Sequence, residues 1–307
     1  MSTDTIGASG ADYTTIAAWA ADVSAIGTLT ENEEGQLIDD ANYAWSAASD
    51  LDFESITLDG FTITMRGTGS GINDGDFGNG ARVNRAGANF GGLYEPKKCI
   101  LEDLAFEHTG ANVFAVLRSG AFTGRRLLAT CSPTGGSQQI CFDSFSGNPG
   151  FDASMHLEAC RAVGGKTGVN MDHLDCTMEN VTVTGAVDAF DASLTITGNI
   201  QNNASFDCSG TEWTGTYSGT NTNNASEDGT HPGTSGVTIS GDPFDADGYT
   251  PAASGQLDGA GVDLSISLDA ANNSYESTPS IGAYEVIGGG GGISIPVVMY
   301  SYRQRRA

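Results

Sequence analysis

Two glutamates hold the same place in two related segments: Glu158 in "MHLEACRA" (155–162) and Glu179 in "CTMENVTV" (176–183). If those segments lie one above the other, the two carboxylates become neighbours, and like-charge repulsion raises the pKa of one of them. An acid beside a carboxylate is what glycoside cleavage needs, one group protonating the leaving oxygen and the other acting as base or nucleophile. Glu158 with Arg161 and Arg126 suggests a second chemistry, a lyase with carboxylates on calcium and an arginine as base. The competing reading is a solvated face of mixed charge, with Arg125 between Glu102 and Glu158 in an ion-pair ladder of little net value.

Other chemical signals are weak. His108, His156, His173 and His231 form no ligand-spaced cluster in the sequence. "DADG" at 245–248 begins like a calcium loop but lacks the later acidic ligands, which leaves a turn. The six cysteines include no C-x-x-C pair, which argues against zinc and thioredoxin-like sites. The sequence therefore assigns no catalytic residue, no metal and no cofactor, and keeps Glu158, Glu179 and Arg161 as the site of a runner-up enzyme reading.

The elements that must position these residues show as a repeat. In "CILEDLAF" the apolar Cys99, Leu101, Leu104 and Phe106 fall at offsets 0, 2, 5 and 7. The same offsets hold Phe122, Gly124, Leu127 and Ala129; then Met155, Leu157, Cys160 and Ala162; then Cys176, Met178, Val181 and Val183. Upstream, "ITLDGFTI" supplies Ile56, Leu58, Phe61 and Ile63. Two alternating stretches with a break between them read as strand, bend, strand. Starting positions are 23 (99 to 122), 33 (122 to 155) and 21 (155 to 176) residues apart, the signature of a solenoid whose extra residues leave as loops. Further apolar patches, "VFAVL" (113–117), "ICF" (140–142), "VNM" (169–171) and "VDAF" (187–190), give each coil at least two strands.

In this frame the outward columns are Asp59, Glu102, Arg125, Glu158 and Glu179 at offset 3, Asp103, Arg126 and Asn180 at offset 4, and Arg161 and Thr182 at offset 6. Cys99 and Cys176 share an inward column but lie three coil steps apart. At about 4.8 Å per step that is roughly 14 Å, beyond disulfide reach, so the cysteines read as small apolar core residues.

Both ends look like caps. "DYTTIAAWAADV" offers Asp12 and Thr14 as N-caps and puts Tyr13, Ile16, Ala17, Ala20 and Val23 on one helical face, which would cover the open first coil. The arrangement "DPFDADGYTP", "GAGVDL", "PSIGAYE" resembles the closing segment of many right-handed parallel β-helix proteins, the pectate-lyase-like superfamily in its broad sense. "DYTTI" is similar to their N-terminal cap. The resemblance implies an all-β fold, a right-handed parallel β-helix solenoid with a short N-terminal capping helix and an extended C-terminal tail. That superfamily includes lyases, hydrolases, adhesins and phage spikes, so it implies architecture rather than one activity. The paired-Asp, Gly-His-Gly and Arg-x-Lys motifs of polygalacturonase-like families are missing from this sequence.

A formal charge of −25 argues against nucleic acid as a partner, because phosphate contacts need clustered Lys and Arg. It also repels acidic polysaccharides unless a basic groove or bound cations intervene. The first residues lack a basic, apolar signal segment, and no later run reaches the roughly 20 apolar residues that span a bilayer. Synthesis in a cytoplasm and no membrane partner are therefore expected. Residues 1–30 read as the cap, 31–287 as the β-helix and 288–307 as a glycine-hinged anchoring peptide. In that peptide Ile293, Ile295, Val297, Val298, Met299, Tyr300 and Tyr302 supply apolar contact, while Arg303, Arg305 and Arg306 can meet acidic groups. The helix face near Trp19 is the alternative anchor.

Together these features suggest a phage virion structural protein, a capsid-decorating protein or short head fibre made in the host cytoplasm. Its expected partners are the capsid shell, other virion proteins or copies of itself, in a homo-oligomer with the trimer as first choice, and a surface glycan. The runner-up is a polysaccharide lyase or hydrolase of the tailspike depolymerase type. A carbohydrate-binding adhesin would need Trp45 and Trp213 exposed on one surface.

Overall fold

The computed structural model describes residues 1–44, 51, 53, 55–84, 97–108, 115–118, 121–131, 139–144 and 154–286. Their strands form three sheets in which all strand pairings are parallel. The first sheet stacks nine strands, from Ser2–Ile6 through Glu33–Leu37, Ile63–Gly67, Cys99–Glu102, Phe122–Arg125, Met155–Glu158, Thr177–Glu179 and Ile200–Gln201 to Asn221–Thr222. The second also has nine, from Asn42–Ala44 to Val237–Thr238, including Ala105–His108, Leu128–Cys131, Arg161–Gly164 and Thr182–Thr184. The third holds five, Ala115–Arg118, Ile140–Ser144, Thr167–Met171, Asp188–Ile196 and Trp213–Tyr217. The chain is a parallel β-helix, with three strands to a coil where the third sheet is present. Among the described residues no helix is long and apolar enough to cross a membrane.

The repeat explains the stacking. Cys99 pairs in register with Phe122, Phe122 with Met155, and the strand of Met155 with Thr177–Glu179, which Cys176 immediately precedes. All the residues at offsets 0, 2, 5 and 7 in these four coils are buried, in one cluster apart from Gly124. Burying a large apolar side chain contributes about 1.5–3 kcal/mol, so each column is a substantial part of the driving force. Gly124 fits the pattern through volume: a Cβ there would lie 2.7 Å from a Leu127 methyl and 3.0 Å from one of Leu157.

The bend between first and second sheets is the residue at offset 4. Asp103, Arg126, Ala159, Asn180, Asn202 and Asn223 all have φ between 50° and 58°, the left-handed region. Their N–H groups continue the ladder, Arg126 N donating to Glu158 O at 2.9 Å and Ala159 N to Glu179 O at 3.0 Å. This corrects the outward reading of that column. Asp103 and Asn180 are buried, because the bend turns them along the solenoid corner rather than into water. The segment "ITLDGFTI" also needs correction. Ile63, not Ile56, stands in register with Cys99, and Arg66, not Asp59, faces Glu102. Leu58 and Phe61 are only partly buried, because this stretch turns at Asp59–Gly60 before its strand begins.

The N-terminal helix Ile16–Ser24 is capped by Thr15, whose hydroxyl accepts from Ala18 N at 3.1 Å; neither Asp12 nor Thr14 is the cap. Asp12 instead accepts from Thr5 N and Oγ1. The buried face is Ile16, Trp19, Ala20 and Val23. Trp19 lies flat enough on Gly35 that a Cβ there would approach its ring to 2.6 Å, and it is fully buried, so it offers no external anchor. All six cysteines are free, five of them buried. Burial pushes the Cys160 thiol up to about 12 and that of Cys176 to about 11, which leaves both inert at neutral pH.

The C-terminal segment does more than close the last coil. After Val237–Thr238 the chain turns back along the outside of the second sheet. Asn223 Nδ2 donates to Ala260 O at 2.8 Å, and the Asn202 amide makes two bonds to Val262, of 2.7 and 2.9 Å. Further back, Gly282 N donates to Asn202 O, Ala283 N to Thr182 Oγ1 and the Tyr284 hydroxyl to Gly75 O. A second apolar cluster forms under this strap from Ala204, Ala225, Ile239, Phe244, Leu257 and Ile281. The turn expected at 245–248 is present, Asp247 Oδ1 accepting from Tyr249 N and Thr250 N.

Candidate functional site

The strap covers the later coils of the second sheet, whereas the first sheet carries a continuous column of charged side chains. Side chains two apart on a strand share a face, and in-register residues of successive coils stand about 4.8 Å apart. These rules build one column from Arg66, Glu102, Arg125, Glu158 and Glu179, all half-buried. Charges alternate along most of it. Arg66 lies 3.8 Å from both Glu34 and Glu102, and Arg125 Nε donates to Glu158 Oε2 at 2.8 Å. At the corner Arg126 pairs with Glu102 at 2.9 Å and makes a two-pronged contact with Asp103 at 2.6 and 2.9 Å. Burial works against its charge, but the two carboxylates prevail and push its pKa up.

The alternation stops at Glu158 and Glu179, which stand in register with no arginine between them. His156 fills that role. Its Nε2 lies 3.3 Å from Glu158 Oε1 and 3.5 Å from Glu179 Oε2. Among the described residues this is the group whose His and carboxylate ligand atoms lie within 4.8 Å of one another. Spacing among the four histidines does not signal this group, because the other two members are glutamates. The available signal is local: on a strand, a histidine two residues before a glutamate shares its face.

Arg161 is not brought to this pair. It lies beyond the bend on the second sheet, where its guanidinium stacks over Tyr249 at 4.3 Å and sits 5.9 Å from the Tyr284 ring, under the strap. Arg126 is engaged with Glu102 and Asp103. Neither arginine that the lyase reading named therefore partners the Glu158–Glu179 pair; the arginine that touches it is Arg125. Trp213 is also unavailable to a ligand, being buried and stacked on Phe190 at 3.9 Å. Trp45 and the tail residues Ile293, Ile295, Val297, Val298, Met299, Tyr300, Tyr302, Arg303, Arg305 and Arg306 lie outside the described residues.

A groove of about 540 Å³ runs along the edge of the first sheet beside His156, lined also by Leu58, Thr62, Lys98, Phe122, Ser154 and Asp175. It is open and mixed in polarity, wide enough for a sugar-sized group but without a second carboxylate aimed at a common point with Asp175.

No family model matches the chain, and no curated protein matches its sequence. Among solved structures, the crystal structure of pectate lyase Pel9A is similar at 14% identity and a TM-score of 0.33, over 93% of this chain and 97% of that one. At that level the likeness carries no functional argument. The fold stands on the three sheets and their register, which make this chain a parallel β-helix.

Proposed function

We propose that this protein is a structural component of a phage virion, a capsid-decorating protein or short head fibre held by residues 288–307. The observation that supports the reading best is the C-terminal strap: the stretch after Val237–Thr238 lies on the later coils of the second sheet, bonding to Thr182, Asn202 and Asn223 and burying Ala204 and Ala225. The paired charges of the first sheet agree with this, since Glu34, Glu102 and Glu158 already have arginine partners. Among the described residues the strap runs as far as Val286, with the Tyr284 hydroxyl donating to Gly75 O at 3.1 Å. The test is incorporation into particles. Virions of the encoding phage should contain the protein in many copies by mass spectrometry, and a chain lacking residues 288–307 should fail to co-sediment with particles that lack it. Full binding by the truncated chain would refute the anchor.

The groove beside His156 supports a second reading, a depolymerase acting on a surface glycan. Under the structural proposal Glu158→Gln and Glu179→Gln leave particle binding unchanged, and no cleavage of host polysaccharide appears by reducing-end assay in the parent protein. Cleavage that either substitution abolishes would replace the first reading with the second.

A further inference from the structure

We propose that His156, Glu158 and Glu179 form a site for a divalent transition-metal ion of the zinc class, bridging two successive coils of the first sheet. The inference is independent of the virion reading.

The geometry comes from the fold. His156 and Glu158 share a strand face at a spacing of two, and Glu179 is the in-register neighbour of Glu158 on the next coil. Zinc bonds of about 2.0–2.2 Å to nitrogen and carboxylate oxygen, arranged tetrahedrally, put ligand atoms roughly 3.3–3.5 Å apart. His156 Nε2 stands 3.3 Å from one carboxylate oxygen and 3.5 Å from the other. That nitrogen is shielded from solvent and has no hydrogen-bond partner, an orphaned polar atom facing two acids. Arg125 Nε holds Glu158 Oε2 at 2.8 Å, which turns Oε1 towards the imidazole, the kind of outer partner that orients a metal ligand.

Donor chemistry narrows the ion. One imidazole and two carboxylates suit zinc and its neighbours, whereas calcium and magnesium take oxygen donors and would leave the imidazole unused. A chain of net charge −25 concentrates divalent cations at its surface. Three protein donors leave a coordination position for water or an outside ligand. A bound ion would replace the missing arginine in the column, neutralising the Glu158–Glu179 contact and tying coil to coil.

The experiment uses the untagged full chain, stripped with chelator and titrated with ZnCl2 by calorimetry at pH 7.5. One ion should bind per chain, and the melting temperature should rise with free zinc as binding to the native state requires. His156→Ala should weaken that binding at least ~100-fold, more than the ten- to hundredfold typical of an outer partner. Glu158→Gln and Glu179→Gln should each weaken it too. His173→Ala with His231→Ala should leave it unchanged. Co2+ serves as a spectroscopic probe: the visible bands of a four-coordinate site should appear in the parent chain and be missing in His156→Ala. All three side chains face outward, so circular dichroism should show each variant folded. Absence of saturable zinc binding, or binding that survives His156→Ala, would overturn the site.

Discussion

Val181 is fully buried in the column of Leu104, Leu127 and Cys160, and the sequence places it there through spacing alone. Val181→Asp should give no soluble, folded protein, because an unpaired buried carboxylate costs several kcal/mol, comparable to the stability of many domains. A soluble variant with an unchanged melting temperature would disprove the register. The acid at position 212 makes a different prediction. Glu212 is buried, accepting from Ser205 Oγ at 2.9 Å and Glu227 N at 2.6 Å, and burial pushes its pKa from 4.5 up to about 7. Between those values the folded chain holds a proton that the unfolded chain has released. Its contribution is therefore full below pH 4.5 and is lost as pH rises through 7, about 3 kcal/mol at most. Glu212→Gln should raise stability at pH 8, do little at pH 4.5, and shrink the slope between; urea melts at both pH values decide it. Asp143, raised to about 6 by burial, retains part of the slope in the variant. At this scale the inward residues are legible because a solenoid column demands an apolar side chain in every coil. His156 is harder to read, because an outward residue gains its meaning from neighbours on other coils.

Elements were legible where coils are short and regular. Between Cys99 and Val183 spacing alone fixes the strands, and the patches at 140–142 and 169–171 fall on the third sheet. Near residue 60 a turn ahead of the strand shifts an apolar pattern that looks the same, and the register is lost. The strap was invisible for another reason: its contacts run through Asn, Gly and Thr, which in sequence signal only turns. A clue is present in "NNAS", at 202–205 and again at 223–226. In both copies the first Asn takes the left-handed bend and reaches the strap, while the second is buried and hydrogen-bonded along the solenoid. Asn202 separates the two contributions. Asn202→Gly should remove the Val262 bonds without backbone strain, costing about 1–3 kcal/mol. Asn202→Ala should cost about 1 kcal/mol more, since Ala pays for the left-handed conformation at φ 57°. Both should speed proteolysis between residues 240 and 286. Equal melting temperatures for the two variants would show that the bend is not strained, and unchanged proteolysis would show that the strap is held elsewhere.

For the whole molecule the sequence predicts a solenoid, a rod of stacked coils, with an added peptide at 288–307. The rod carries most of the negative charge, while residues 288–307 hold three arginines and no acid. If residues 288–307 are the anchor proposed above, two contributions to attachment respond differently to salt. Replacing Arg303, Arg305 and Arg306 with Ala should weaken particle binding in part, chiefly at low ionic strength. At about 0.15 M salt, exposed charges are screened beyond roughly 8 Å. Replacing Val297 and Val298 with Asp should weaken it further and at every salt concentration, because apolar burial at about 25 cal/mol per Å² would supply most of the affinity. Removing residues 288–307 altogether should leave the melting temperature nearly unchanged, since Ile281, Ala283 and Tyr284, which close the strap, all lie before the cut. Co-sedimentation across a salt series, with melting curves of the same proteins, tests the set. A truncated chain that melts many degrees lower would mean that the tail packs on its own rod, and the anchoring role would fall with it.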